Sequence, residues 1–180
     1  MADRDYKSDR DSKQSTFVTE YSEEEVKKAH DVLYNEGLRM RIKVNGESYV
    51  RKALEKSHDP FSRPMQEYVA EACWGWVWSR PGLELKTRSF LNIAMLCCQN
   101  RGTELATHVK GALTNGATEE EVREVILQAT AYCGMPAGIE GFRVAGKAVS
   151  EWKEEQHRHG HHVDGHADIG MEMRTQEHDV

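Results

Sequence analysis

Four polar side chains in the stretch RGTELATHVKGALTNG, residues 101–116, have the types and spacing for acid–base chemistry on a small anion. Wound as a helix at about 100° per residue, Arg101, Glu104, His108 and Asn115 fall within about 60° of one another. Leu105, Val109, Ala112 and Leu113 form the apolar face beside them, so the polar stripe runs along the rim of a core. An acid, an imidazole, a cation and an amide so placed line a cleft, where partial loss of water moves a pKa toward neutrality. The same spacing also describes a solvated Glu104–His108 surface pair, which would do no chemistry.

Holding that stripe in place takes a helical scaffold, and the surrounding chain reads as helix after helix with no strand alternation. Ser22 and Glu25 form a capping box, after which Val26, Ala29 and Leu33 mark one face until Gly37 stops the helix. A short helix covers 46–57, and Phe61-Ser62-Arg63-Pro64 opens a long apolar helix that runs to about Ser79, before Pro81-Gly82. The next helix, from Leu85 to Gln99, buries Phe90, Ile93, Ala94, Cys97 and Cys98. Asn115-Gly116 ends the polar-striped helix. Thr118 and Glu121 form a second capping box ahead of Val122, Val125, Ile126, Ala129 and Cys133, and Pro136 starts a last helix carrying Ile139, Phe142, Val144, Ala145 and Val149 to about Trp152. The reading is all-α, with about six or seven helices.

The 180 residues fit one domain, and their 38% hydrophobic content concentrates in the middle. Residues 1–20 form a polar segment expected to be disordered, 21–152 the folded helical domain, and 153–180 a flexible tail rich in histidine. That tail is an adventitious metal binder at most, so no metal site is expected. A net charge of −6 without a basic run argues against nucleic acid as a partner, and the absence of a membrane-spanning stretch or signal-peptide core points to a cytoplasmic protein. Cys73, Cys97, Cys98 and Cys133 sit among apolar neighbours as buried thiols, and the adjacent Cys97 and Cys98 diverge too far to pair with each other. In ACWGWVWS, Trp74 and Trp78 share one face while Trp76 points away. Both sides of that helix need cover, which predicts a homo-oligomer.

The run from Trp78 to Gly138, WSRPGLELKTRSFLNIAMLCCQNRGTELATHVKGALTNGATEEEVREVILQATAYCGMPAG, closely resembles the carboxymuconolactone decarboxylase family. SRPM, RPGL, ELxxH, NG and YCGxPA come in the family's order, and the likeness covers the whole expected core from Phe61 to about Trp152. The resemblance implies an alkylhydroperoxidase D-like all-α fold, assembled as trimers or hexamers. The peroxidase-like branch of that fold carries CxxCxxxH. With His108 laid on its histidine, the two thiol positions become Arg101 and Glu104, so the dithiol chemistry is absent and the decarboxylase branch is implied.

The substrate implied by the family, 4-carboxymuconolactone, is an unsaturated lactone bearing a carboxylate and an acetate arm. Electrons left by departing CO₂ spread through the ring double bond into the lactone carbonyl, so the substrate is its own electron sink and no cofactor is expected. Within this reading His108, titrating near neutrality, is the general acid and Glu104 orients it or shares its proton. Arg80, Arg88 and Arg101 are candidates for binding a small-molecule carboxylate, Asn115 for the lactone carbonyl, and Tyr132 for capping the pocket. Each also has an ordinary structural use, as helix cap, surface ion pair or core filler.

This sequence departs from the family pattern at Thr114-Asn115-Gly116, where NNG is common, and at Pro136-Ala137-Gly138, where PAA is common. Those changes leave room for a different substrate, including an aromatic or polyketide-derived acid of natural-product biosynthesis, handled by a related decarboxylase, isomerase or cyclase. Two readings of other classes stand beside it: a thiol redox protein using Cys97, Cys98 or Cys133, and a non-catalytic oligomeric scaffold.

Overall fold

The computed structural model describes residues 20–57 and 59–164, with side chains described as far as Arg158. The polar segment expected over 1–20 lies outside the described residues but for Glu20, as do the tail histidines from His159 onward as side chains. Among the described residues the order is α1 (Glu23–Asn45), α2 (Glu47–Lys56), α3 (Arg63–Tyr68) running into a π-helical segment (Val69–Trp78), α4 (Leu85–Cys98), α5 (Gly102–Thr114), α6 (Glu119–Cys133) and α7 (Met135–Asp164). The fold is all-α, and both capping boxes form: Ser22 with Glu25 opens α1, and Thr118 with Glu121 opens α6.

Helix α1 does not stop at Gly37 but continues to Asn45, where Gly46 at φ 82° ends it. Gly37 serves packing instead, since a Cβ there would lie 1.9 Å from the Ala70 carbonyl oxygen, and one on Gly75 would lie 2.2 Å from that of Leu33. Two glycines thus let α1 and the π-helical segment cross backbone to backbone. A smaller cluster of Met40, Val44, Trp74 and Trp78 closes this junction.

The larger core lies among α4, α5, α6 and α7, built from Ile93, Cys97, Leu105, Val109, Ala112, Leu113, Val122, Ile126, Ala129, Ala145 and Ala148. Ile139 and Phe142 were expected inside and are exposed. The face of α7 that packs is made of Ala137, Gly138, Gly141, Ala145 and Ala148, because a Cβ on Gly138 or Gly141 would collide with Thr130 or with the Cys97 sulfur. Ile139 and Phe142 are therefore turned outward, while Val144, Val149 and Trp152 pack at the edge of the core.

Nor does α7 end at Trp152. Lys110 pairs with Glu151 and Glu155 at 2.9 Å each, and residues past Trp152 are good helix formers, so the helix carries on through the first part of the expected tail. The cysteines also differ from expectation. Cys98 and Cys133 form a disulfide that ties the end of α4 to the end of α6, Cys73 is free and exposed, and Cys97 alone keeps a buried free thiol. No described helix is long and apolar enough to cross a membrane.

Candidate active site

His108 lies mid-way along α5, on the side that meets α4 and the π-helical segment. Its ring is offset-stacked beside both indoles, with centroids 6.0 Å from Trp78 at 20° between planes and 6.5 Å from Trp74 at 8°. The two indoles stack on each other at 4.7 Å and are themselves almost fully buried. This apolar wall withholds water from the imidazolium, and the desolvation lowers the His108 pKa to about 4 against the opposing pull of the Glu104 charge. The expected titration near neutrality is thus corrected, and the resting ring is neutral at pH 7.

Asn92 of α4 is the polar neighbour of His108. Its amide nitrogen lies 3.5 Å from Nδ1, a long contact that favours the tautomer with Nδ1 accepting and the ring proton on Nε2. Sequence reasoning passed over Asn92. Its signal was a polar residue inside the apolar run 90–98 of α4, three places after Ser89. Ser89 is fully buried, donates to the Leu85 carbonyl and accepts from the Asn115 amide at 3.1 Å. Antiparallel α4 and α5 are thereby pinned twice, at Ser89–Asn115 and at Asn92–His108.

The expected stripe is split by this geometry. His108 is half-buried, whereas Glu104, one turn away, and Arg101, at the N-cap of α5, are exposed. Asn115 caps the other end of α5 with its amide committed to Ser89. Arg88, one turn before Asn92, donates from Nη2 to the Arg80 carbonyl at 2.9 Å and so fastens the SRPGL loop to α4. Its Nε is buried without a partner. The Arg80 guanidinium lies over the Trp76 ring at 5.4 Å. Tyr132 is 81% exposed, next to the Cys98–Cys133 bridge, and within one chain it does not cap the His108 ring.

Clefts of about 750 Å³ and 920 Å³ open elsewhere, the first against α1 and α3 and the second where α1, α2, α5 and α7 meet; neither is lined by His108. Among the described residues no three His, Cys, Asp or Glu side chains gather closely enough to hold a metal ion.

A half-buried neutral imidazole between an aromatic wall and an amide, with a cation one turn along, suits binding of an anion and movement of a proton. Known proteins bear on that arrangement. The chain is 43% identical over 122 residues to the nitrosuccinic acid decarboxylase of Metarhizium robertsii, which covers 68% of this chain and 85% of that protein. It is 39% identical over 112 residues to the 4-carboxymuconolactone decarboxylase of Acinetobacter baylyi, covering 62% of this chain and 83% of that one. A 15.0 kDa protein of Paracoccus denitrificans matches at 34% over 89 residues, 48% of this chain and 66% of the relative. The family model of carboxymuconolactone decarboxylases spans residues 63–147, from the start of α3 through the disulfide into α7, and takes in Trp74, Trp78, Arg88, Asn92 and His108; the chain belongs to that family.

Proposed function

We propose that this protein decarboxylates a small acid whose own electron-withdrawing group takes up the electrons released with CO₂. Within its family the chain is an enzyme of the carboxy-lyase type. A lactone carbonyl conjugated to the reacting carbon, as in 4-carboxymuconolactone, is one such group, and a nitro group, as in nitrosuccinate, is another. The observation that carries the reading is the desolvated His108 ring against Trp74 and Trp78.

Loss of CO₂ breaks one carbon–carbon bond and leaves its electron pair in the conjugated system, and one proton must then reach carbon. The neutral resting ring accepts that proton when the substrate arrives, because an anion beside it favours the imidazolium. His108 then delivers the proton to carbon and returns to neutral, so that each turnover consumes one proton from solvent. Glu104, one turn away, stabilises the transient imidazolium by its charge. Arg88, whose buried Nε has no partner, is the donor this reading assigns to the oxygen that gains charge as CO₂ departs. Asn115 acts through Ser89 by holding α4 and α5 in register, while Arg101 and Arg80 sit at the exposed rim, where they draw anions in.

Purified protein is incubated with 4-carboxymuconolactone and, separately, with nitrosuccinate, and CO₂ release is followed. Release from at least one substrate at a rate well above buffer, reduced at least about 100-fold in His108→Ala, is the expected result. No release from either, or a variant that keeps more than about a tenth of the rate, sinks this reading. We also propose that copies associate through the exposed apolar set Leu91, Met95, Tyr132, Met135 and Ile139, which would bring Tyr132 of one copy against another. Light scattering after size exclusion tests it: a trimer or hexamer is expected, and a monomer at micromolar concentration rejects the association.

A further inference from the structure

Among the described residues three buried polar side-chain atoms lack a hydrogen-bond partner, and two of them are guanidinium nitrogens, Arg41 Nε and Arg88 Nε. Arg88 belongs to the site above. Arg41 is on α1, outside the matched span 63–147, and is 8% exposed. Its Nη1 donates to Gln66 Oε1 at 3.2 Å and its Cζ lies 6.0 Å from the centre of the Tyr49 ring, but no carboxylate pairs with it among the described residues. A cation taken out of water without a counter-charge is costly, and neither a neutral amide nor an aromatic ring replaces that charge. No described residue supplies a negative partner.

Where Arg41 stands says what that partner is. Its helix neighbours Met40 and Val44 pack on Trp74 and Trp78. Trp78 in turn stacks beside His108. On its other flank Arg41 lies over Tyr49, whose hydroxyl accepts from that of Thr107, the residue next to His108. Through Met40, Val44 and Trp78, Arg41 adjoins the aromatic wall against which the His108 ring stacks.

We propose that Arg41 binds the carboxylate that the substrate keeps, so that the site selects a dicarboxylic acid with one end on Arg41 and the departing carboxylate beside the aromatic wall. This rests on the decarboxylase reading of the His108 site. A cation on the departing carboxylate would stabilise the very charge that must leave it and so slow the step. On the retained carboxylate it strengthens ground state and transition state alike, which lowers KM and leaves kcat unchanged.

The test is titration calorimetry of the full chain with succinate, an unreactive dicarboxylate, alongside steady-state kinetics on whichever diacid releases CO₂. Wild type is expected to bind succinate, R41Q at least about 10-fold more weakly, and R41K in between, because the ammonium keeps the charge but loses the two-pronged fork. In turnover, R41Q is expected to raise KM at least about 10-fold with kcat within about 3-fold of wild type. Succinate bound alike by wild type and variant, or by neither, overturns the proposal, as does a kcat loss matching the KM change. Should R41Q fail to fold, R41K reads the same quantities. Because succinate binding needs no turnover, a chain that binds it through Arg41 but releases no CO₂ breaks the decarboxylase reading and leaves the anion site standing.

Discussion

The two hydrophobic clusters of this molecule are made of different things. The one among α4–α7 is aliphatic, small-residue and continuous, with Ile93, Val109, Val122 and Ile126 almost wholly out of water. The one where α1 crosses the π-helical segment is aromatic, adjoins a buried guanidinium and stacks beside a half-buried imidazole. Close-packed aliphatic cores leave nothing for a ligand to satisfy, whereas a buried polar atom without a partner is a demand that a ligand can meet. On the function proposed above, the first cluster builds the fold and the second serves recognition. His108 stands between them, its helix neighbours Leu105 and Val109 in the aliphatic core and its ring beside the indoles.

The division is broken most forcefully by emptying the aliphatic side. Ile126→Ala removes a side chain that is 1% exposed, and a loss of about 2–5 kcal/mol of unfolding free energy is expected. Urea denaturation gives that number. If the two clusters have separate tasks, kcat per folded molecule stays within about 2-fold of wild type under conditions where the variant is folded. A large fall in kcat with full folding would merge them.

The second effect belongs to the aromatic side and is read through pH. The unfolded chain binds a proton at His108 near the ordinary value of 6.5, and the folded chain only near 4. Above pH 6.5 the ring is neutral in both states and costs nothing. As the pH falls from 6.5 toward 4 the unfolded state takes up the proton first, and stability drops by up to about 3 kcal/mol. Urea melts at pH 7 and pH 4.5 measure the drop, and His108→Gln is expected to lose clearly less over that interval. Equal losses in both proteins would mean that the indoles do not desolvate the ring.

How much of this the residues announce differs between the clusters for a physical reason. Leu105, Val109, Ala112 and Leu113 are legible because helical periodicity reports burial on one element, and both capping boxes are legible because they are local. Gly37 misleads because a glycine that ends a helix and a glycine that admits a neighbouring backbone look alike in one dimension. Ile139 and Phe142 mislead because periodicity shows an apolar face without saying whether the chain itself covers it. Asn92, Arg41 and the low pKa of His108 depend on contacts between elements far apart in sequence, and no spacing within α5 contains them. The Cys98–Cys133 bridge, across a sequence separation of 35, is hidden for the same reason.

A smaller effect is expected where the aromatic cluster is docked. Gly37→Ala places a Cβ against the Ala70 carbonyl, so α1 must shift from the π-helical segment, with a loss of about 1–3 kcal/mol on overpacking grounds. Thermal melts check the stability. Because α1 also carries Arg41, the same shift is expected to raise KM for a diacid more than it lowers kcat. In Ile126→Ala no such KM change is expected, and that contrast makes the two glycine-lined backbones part of recognition rather than of bulk stability.

The smallest effect tests the seam itself. At 3.5 Å the Asn92–Nδ1 hydrogen bond is long, so its worth lies in fixing which ring nitrogen carries the proton. Asn92→Ala is expected to lower kcat by about 3–10-fold, the value of one modest hydrogen bond, with stability changed by less than about 1 kcal/mol. Asn92→Asp goes the other way electrostatically: a carboxylate at that place accepts from Nδ1–H, moves the tautomer and raises the His108 pKa above about 4. Nitrogen chemical shifts of the ring report both changes directly. If neither variant alters tautomer, titration or kcat, the aromatic wall alone orients His108 and α4 serves only the aliphatic core; if both do, α4 belongs to the two clusters at once, through Ile93 on one face and Asn92 on the other.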